Sequence, residues 1–319
     1  MRYTEMQMSG EVLDQPEFLG SPTTVVICST PRSGSYLLCR HMINAGLGVP
    51  HEYFNPIVIR QIASRLGFAE EVAAMNWHAR GRRDSLLLRK SERAAERDFL
   101  IRYSRVLMAR RTQGGVFASK IHYRDFARVL DNSVGRRLLD DAVFVYLYRE
   151  DMLKQAISEH FAQLTGRWGI DDTVTTQPSA DPEFFDVAAI DRALIDLADQ
   201  ERGWRVFMAR HGVSPLSISY EKLCEDPFAF VAAIARRVGV DPGTLRQGYS
   251  ETASTTEADT GVPSKAEAAQ YYLAAAKARD MSLEDSLRLD IRSLTGASRG
   301  SVKPIVARRG RSIQGSASG

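Results

Sequence analysis

The sequence predicts an α/β fold of three layers, a central parallel sheet flanked by helices on both faces. Three observations carry this expectation. Four apolar runs are short and nearly continuous, as strands buried on both faces require: "TVVICS" (24–29), "VFASKIHY" (116–123), "DAVFVYLYRED" (141–151) and "PLSISY" (215–220). Segments of helical period separate them, which is the alternation of parallel βα units. The 319 residues, 44% hydrophobic and 25% charged, suffice for the core such a sheet needs.

In order along the chain, residues 1–22 show no sustained period and read as a flexible extension ending at Ser21-Pro22. The strand at 24–29 runs through "TPRSGS" into a helix over about 35–46, stopped near Gly46 and Gly48. "VPHEYFNP" is extended and closed by Pro56, and the helix "IVIRQIASRLG" follows. The stretch 80–111 predicts a long amphipathic helix, with Phe99, Leu100, Tyr103, Val106 and Leu107 at helical spacing. Gly114-Gly115 ends it. Strand 141–151 leads into the helix "MLKQAISEHFAQL", then a Thr/Asp/Pro-rich loop over 165–182 and a long helix over about 184–210. Strand 215–220 feeds the helix "DPFAFVAAIARRVG". The expected organisation is an extension (1–22), a main domain (23–249), a helical extension (250–296) beginning with a polar linker, and a disordered basic tail (297–319).

A net charge of +3 argues neither for nor against nucleic acid. Residues 80–111 carry eleven Lys/Arg against four Asp/Glu, but the signs interleave around a helix, which indicates a solvated face rather than a specific nucleic-acid surface. Cys28, Cys39 and Cys224 form no CxxC pair, so a reducing, cytoplasmic setting is expected, with Cys28 and Cys39 as core thiols. No apolar run approaches the roughly 20 residues of a membrane span. The N-terminal stretch lacks the apolar centre of a signal peptide.

The chemistry concentrates after the first strand. There the N–H groups of residues 32–36 converge at the start of a helix, which attracts an anion. Gly34 permits close backbone approach, Arg32 brings a forked permanent cation, and Ser33 and Ser35 add hydroxyl donors. A nucleotide-hydrolysing loop would follow its last Gly with Lys and then Ser or Thr. Here Ser35 and Tyr36 follow, so the Mg²⁺-holding hydroxyl is missing and a metal-independent anion donor is expected. Downstream, His51 and Glu52 stand together as candidate bases. Arg149 and Ser158 fall at a strand end and within the next helix, Lys120 on a strand, and Trp168 in the long loop.

The "PRSGS" loop resembles the 5′-phosphosulfate loop of sulfotransferases that use 3′-phosphoadenosine-5′-phosphosulfate, and the chain resembles the bacterial trehalose 2-sulfotransferase family. The likeness continues through "HEYF" (51–54), "SKIHY" (119–123), "YREDMLKQAIS" (148–158), "TGRW" (165–168), "QERGWRVF" (200–207) and "SISYEKL" (217–223), covering about 24–240. It implies the P-loop-like sulfotransferase fold and transfer of a sulfuryl group to a hydroxyl of a carbohydrate or similar small metabolite. It implies further that Arg32, Ser33, Gly34, Ser35 and Tyr36 hold the phosphosulfate, that Arg149 and Ser158 hold the 3′-phosphate, and that Glu52 is the base. His51 is the rival base or an acceptor contact. Tyr53 and Phe54 are acceptor walls or loop anchors, Lys120 approaches the phosphates or is a solvated strand lysine, and Trp168 stacks on a ligand or packs under its loop. A homodimer is compatible with the family. The chain departs from it at Tyr36, where Thr is usual, and after Ser158, where "EHFAQL" replaces an aromatic-Arg segment. A P-loop-like kinase and a non-catalytic binding protein on the same fold are the alternatives.

Overall fold

The apolar runs assemble into one five-stranded sheet: β1 (Thr23–Ser29), β2 (Thr112–Gln113), β3 (Val116–His122), β4 (Val143–Tyr148) and β5 (Leu216–Ser219), in the order β2-β3-β1-β4-β5. The computed structural model describes residues 3–75, 90–127, 139–166, 168, 186–250 and 265–278. All belong to one compact unit, Met1–Asp280, while Met281–Gly319 lies outside them. The four longer strands run parallel, as expected. The sheet is nonetheless mixed, because the two-residue β2 pairs antiparallel with β3 across the Gly114-Gly115 turn. Two residues are too few to leave a pattern in sequence.

Among the described residues the α-helices, apart from the single turn Tyr123–Asp125 after β3, are α1 (Glu5–Ser9), α2 (Ser35–Ala45), α3 (Pro56–Ala63), α4 (Ala69–Ala74), α5 (Lys90–Arg111), α6 (Met152–Thr165), α7 (Val187–His211), α8 (Tyr220–Glu225), α9 (Pro227–Arg237) and α10 (Lys265–Ala278). Their starts follow from local chemistry. Asn55, Asp151, Asp186 and Asp226 each accept a first-turn N–H, with Pro56 and Pro227 in the first turn behind them. The helix expected over 57–67 breaks at Gly67 (φ +90°) before α4 resumes.

Alternate β1 residues divide the core. Val26 and Cys28 face a cluster with Phe117, Phe144, Tyr103 and Trp204, covered by α3, α4, α5 and α7. Val25 and Ile27 face Leu38, Met42, Val231 and Ile234 of α2 and α9. Cys28 and Cys39 are buried, and burial pushes the Cys39 thiol up to about 12. A third cluster joins Ala156, Ile157, Ile190 and Leu197 to Ala268 and Tyr272 of α10. Of the expected C-terminal extension, residues 251–264, residues 279–296 and the tail lie outside the described residues, as do residues 80–89 of the expected basic helix and most of the expected loop over 165–182.

The N-terminal segment differs from expectation. Residues 3–22 dock on the domain, burying Met8 and Leu13 in the core. Arg111, fully buried, donates to the carbonyls of Met8 (2.9 Å) and Gly10 (2.7 Å) and pairs with Asp14 at 2.9 Å. A cation a hundred residues away holds the segment, so no local period announces it. Among the described residues no helix is long and apolar enough to cross a membrane.

Candidate active site

β3 and β4 lie on opposite sides of β1, so the sheet changes direction there, and the crevice at the strands' C-terminal ends is where such sheets bind ligands. The loop leaving β1 is tied from two helices. Trp204 Nε1 of α7 donates to the Ser29 carbonyl (3.0 Å). Gln155 Nε2 of α6 donates to Thr30 Oγ1 (2.7 Å) and the Pro31 carbonyl (2.5 Å). Ser33 Oγ donates back to the Thr30 carbonyl at 2.8 Å. Arg32 and Gly34 both take left-handed backbone, φ +58° and +81°. This is costly for Arg32 and natural for Gly34. A Cβ on Gly34 would lie 2.2 Å from the Tyr220 ring, so the position is closed to every other residue. The resulting turn opens α2 at Ser35, and the Gly34 carbonyl accepts the first-turn N–H groups of Leu37 (3.0 Å) and Leu38 (3.4 Å).

Arg32 Nε donates to Ser158 Oγ at 3.1 Å, and its Nη1 to the Trp168 carbonyl. Ser158 therefore meets Arg32 in this structure, so the residue expected to share the 3′-phosphate with Arg149 also touches the loop. Trp168 contributes its backbone oxygen while its side chain is exposed.

A second group forms where 49–55 runs beside β3. His51 bridges Ser119, and its carbonyl accepts the Lys120 N–H at 3.0 Å. This places Glu52, 12% exposed, against the Lys120 ammonium, itself 2% exposed, in an ion pair and hydrogen bond. His122 Nε2 lies 3.7 Å from the same carboxylate, and Asn55 Nδ2 donates to Glu52 Oε2 (3.0 Å) and Asp125 Oδ2 (3.4 Å). Burial alone would raise the Glu52 pKa. Lys120, His122 and His51 outweigh it and hold the carboxylate down to about 2. Lys120 Nζ also sits 3.7 Å from the Tyr36 ring centroid, a cation–π contact linking α2 to Glu52. Glu52, His122 and Asp125 bring one ligand atom each within 4.8 Å of one another. The Lys120 ammonium supplies this cluster with a cation and the Asn55 amide with hydrogen-bond donors.

Of the expected acceptor contacts, His51 is turned away from the strand ends, and Tyr53 and Phe54 take the loop-anchor alternative. His51 is buried, with Nε2 hydrogen-bonded to Ser9 Oγ at 2.8 Å. Burial, then Lys120 and Arg111, lower its pKa to about 3 against the pull of Glu52, so it is neutral and turned from the crevice. Tyr53 donates its hydroxyl to the Val49 carbonyl at 2.5 Å and stacks on Phe117 at 5.8 Å. Phe54 packs edge-on against Tyr103 at 6.5 Å. Both rings belong to the core and anchor the segment that presents Glu52.

Arg149 follows β4. Its guanidinium lies over the Tyr220 ring, 4.7 Å from the centroid, and its Nε is 4.0 Å from Glu221 Oε1. That buried Nε has no hydrogen-bond partner. Glu221 Oε2 accepts the Glu150 N–H at 3.1 Å. Four further residues escaped the sequence reading: Gln155, Glu159, His122 and Glu221. Gln155, Ser158 and Glu159 share one face of α6 by their spacing, and His122 alternates with Lys120 on β3, so spacing alone could have flagged them. Glu159 is 4% exposed, and its Oε2 has no hydrogen-bond partner. Burial, reinforced by Asp196, raises its pKa to about 7 against Arg124, Arg32 and a hydrogen bond from Gln163.

Comparison with known proteins bears on this arrangement. The family model described as Stf0 sulphotransferase matches residues 24–261. A trehalose 2-sulfotransferase of Mycobacterium tuberculosis is 34% identical over 105 residues, 32% of this chain and 38% of that protein. A trehalose 2-sulfotransferase of Mycolicibacterium smegmatis is 26% identical over 244 residues, 69% of this chain and 86% of that protein. Among solved structures, the sulfotransferase domain from the Synechococcus PCC 7002 olefin synthase is 20% identical, covering 90% of this chain and 99% of its own, with a TM-score of 0.30. The family match spans the loop at Arg32, Glu52, Lys120, Arg149 and Ser158 alike, and the chain belongs to the Stf0 sulphotransferase family.

Proposed function

We propose that the protein transfers a sulfuryl group from 3′-phosphoadenosine-5′-phosphosulfate to a hydroxyl of a carbohydrate or similar small metabolite, with Glu52 as the base. The observation that carries this is the ionised Glu52 held beside Lys120 at the strand ends next to the Arg32 loop. The orphaned Arg149 Nε and the left-handed turn at Gly34, with no room for a side chain, suit an anionic nucleotide. The names of the two mycobacterial relatives support a carbohydrate acceptor.

Transfer forms a bond from the acceptor oxygen to sulfur and breaks the bond from sulfur to the phosphate oxygen. Adenosine 3′,5′-bisphosphate leaves, and the acceptor proton goes to Glu52. Arg32 and the first-turn N–H groups of α2 hold the phosphosulfate, and Arg149 with Ser158 holds the 3′-phosphate. Ser158 Oγ accepts from Arg32 Nε in this structure, so Arg32 turns from Ser158 to the sulfonate as the site fills. A carboxylate with a pKa near 2 is a weak base, and general bases work best near the operating pH. Lys120 resolves this. When its ammonium turns to the sulfonate, Glu52 loses the cation that holds its pKa down, and its proton affinity rises as the acceptor proton must leave.

Glu52→Gln keeps the shape and removes the base. Turnover at saturating donor should fall by about 10²–10⁴-fold with donor affinity little changed. His51→Gln should leave turnover within a few-fold. Circular dichroism must accompany both, because Glu52→Gln leaves the Lys120 ammonium buried without its counter-charge. Normal turnover by a folded Glu52→Gln would remove Glu52 from the mechanism.

A further inference from the structure

The Arg149 side chain is only half-committed. Tyr220 supports one face of the guanidinium at 4.7 Å, yet the buried Nε makes no hydrogen bond. The nearest acid, Glu221 Oε1, stands at 4.0 Å, within ion-pair range and beyond hydrogen-bond range. This contrasts with Lys120 and Glu52, where ammonium and carboxylate are in direct contact. Glu221 is itself lightly held. Its side chain is 35% exposed, and its other oxygen takes one backbone N–H, that of Glu150, at 3.1 Å. A carboxylate so placed neutralises a cation without clamping it, and can swing to solvent without moving the ring that supports the guanidinium.

We propose that Glu221 is an internal counter-anion for Arg149, which the 3′-phosphate of the nucleotide displaces on binding and which speeds departure of the nucleotide product. This rests on the reading of Arg149 as the 3′-phosphate holder. Before binding, Glu221 spares the site an uncompensated guanidinium. With nucleotide bound, it stands within a few ångströms of a phosphate of like charge, and its repulsion shortens the residence of adenosine 3′,5′-bisphosphate. Glu221 thus sets nucleotide affinity through Arg149 without touching the reacting atoms.

The test is binding of adenosine 3′,5′-bisphosphate and adenosine 5′-monophosphate, by calorimetry and stopped flow, to the full chain and to Glu221→Gln, Glu221→Ala, Arg149→Ala and the double variant Glu221→Gln/Arg149→Ala. Removing the carboxylate should tighten bisphosphate binding about tenfold, chiefly through slower dissociation, and change monophosphate binding less than twofold. The gain should vanish in the double variant. If both Glu221 variants bind the bisphosphate unchanged or more weakly, while Arg149→Ala selectively loses it, Glu221 is no counter-anion and the Arg149 reading stands. A weaker bisphosphate complex in that case means that Glu221 orients Arg149. If Arg149→Ala loses both nucleotides equally, the Arg149 reading and this inference fall together.

Discussion

Glu52 and Glu159 are buried carboxylates pushed in opposite directions by their neighbours. Glu159 has burial and Asp196 raising it to about 7, while its ordinary value is 4.5. Between those values the folded chain keeps a proton that the unfolded chain releases, so stability is lost as pH rises through that window. Glu159→Gln removes this loss and should add on the order of 2–3 kcal/mol at pH 8 and almost nothing at pH 4.5. Thermal unfolding at both pH values checks it, and an equal change in Tm at both would contradict it. The reverse holds for Glu52, whose contribution is present above 4.5 and lost as pH falls towards about 2. The buried neutral His51 and His122, lowered by burial to about 3 and about 4, also stop protecting the fold as pH falls below 6.5. What sequence could show at this scale was which residue types cluster. Arg32, Gly34 and Glu52 were legible because loop chemistry depends on identity and order. The directions of His51, Tyr53 and Phe54 were not, because a segment that is neither helix nor long strand has no period from which to read its inner face.

The turn into α2 is the element on which the site depends most. Gly34 combines φ +81° with a Tyr220 ring 2.2 Å from where a Cβ would lie, whereas Gly212, ending α7 at φ +63°, has open space around it. Gly212→Ala should therefore cost about 1 kcal/mol of backbone strain, and Gly34→Ala substantially more, with loss of nucleotide binding. Denaturant unfolding of the two variants compares them directly, and equal midpoints would contradict the packing argument. The docked N-terminal segment makes a second case. Deleting residues 1–14 strips Arg111 of Asp14 and of the Met8 and Gly10 carbonyls, and removes the buried Met8 and Leu13 side chains from the core. The loss should be about 3–5 kcal/mol, and an unchanged denaturation midpoint would refute it. Strands and most helices were readable because burial on both faces, caps and glycine stops are local signals. Docking of 3–22 was not, since its holdfast lies on α5.

At the scale of the molecule, α5 keeps a solvated basic face: Arg97, Arg102, Arg105 and Arg110 are exposed, Arg102 pairing with Glu71 at 2.9 Å, while Arg111 fastens the N-terminal segment and Phe99, Tyr103 and Leu107 enter the core. The parallel sheet was legible from alternating strands and helices. Its order was not, because nothing local states that β3 adds to one side of β1 and β4 to the other. That choice sets a switch point at the end of β1, where Arg32 meets Ser158 and Lys120, lying over the Tyr36 ring, meets Glu52. If these groups serve sulfuryl transfer, the chemistry needs the phosphosulfate nucleotide and no triphosphate. The purified full chain, incubated in chelator with ³⁵S-labelled 3′-phosphoadenosine-5′-phosphosulfate and a panel of neutral carbohydrates, should yield a labelled sulfate ester with an equal amount of adenosine 3′,5′-bisphosphate. Parallel reactions with γ-³²P-labelled ATP should label nothing. Phosphate transfer from ATP, or release of free sulfate without an ester from any acceptor, would contradict the account.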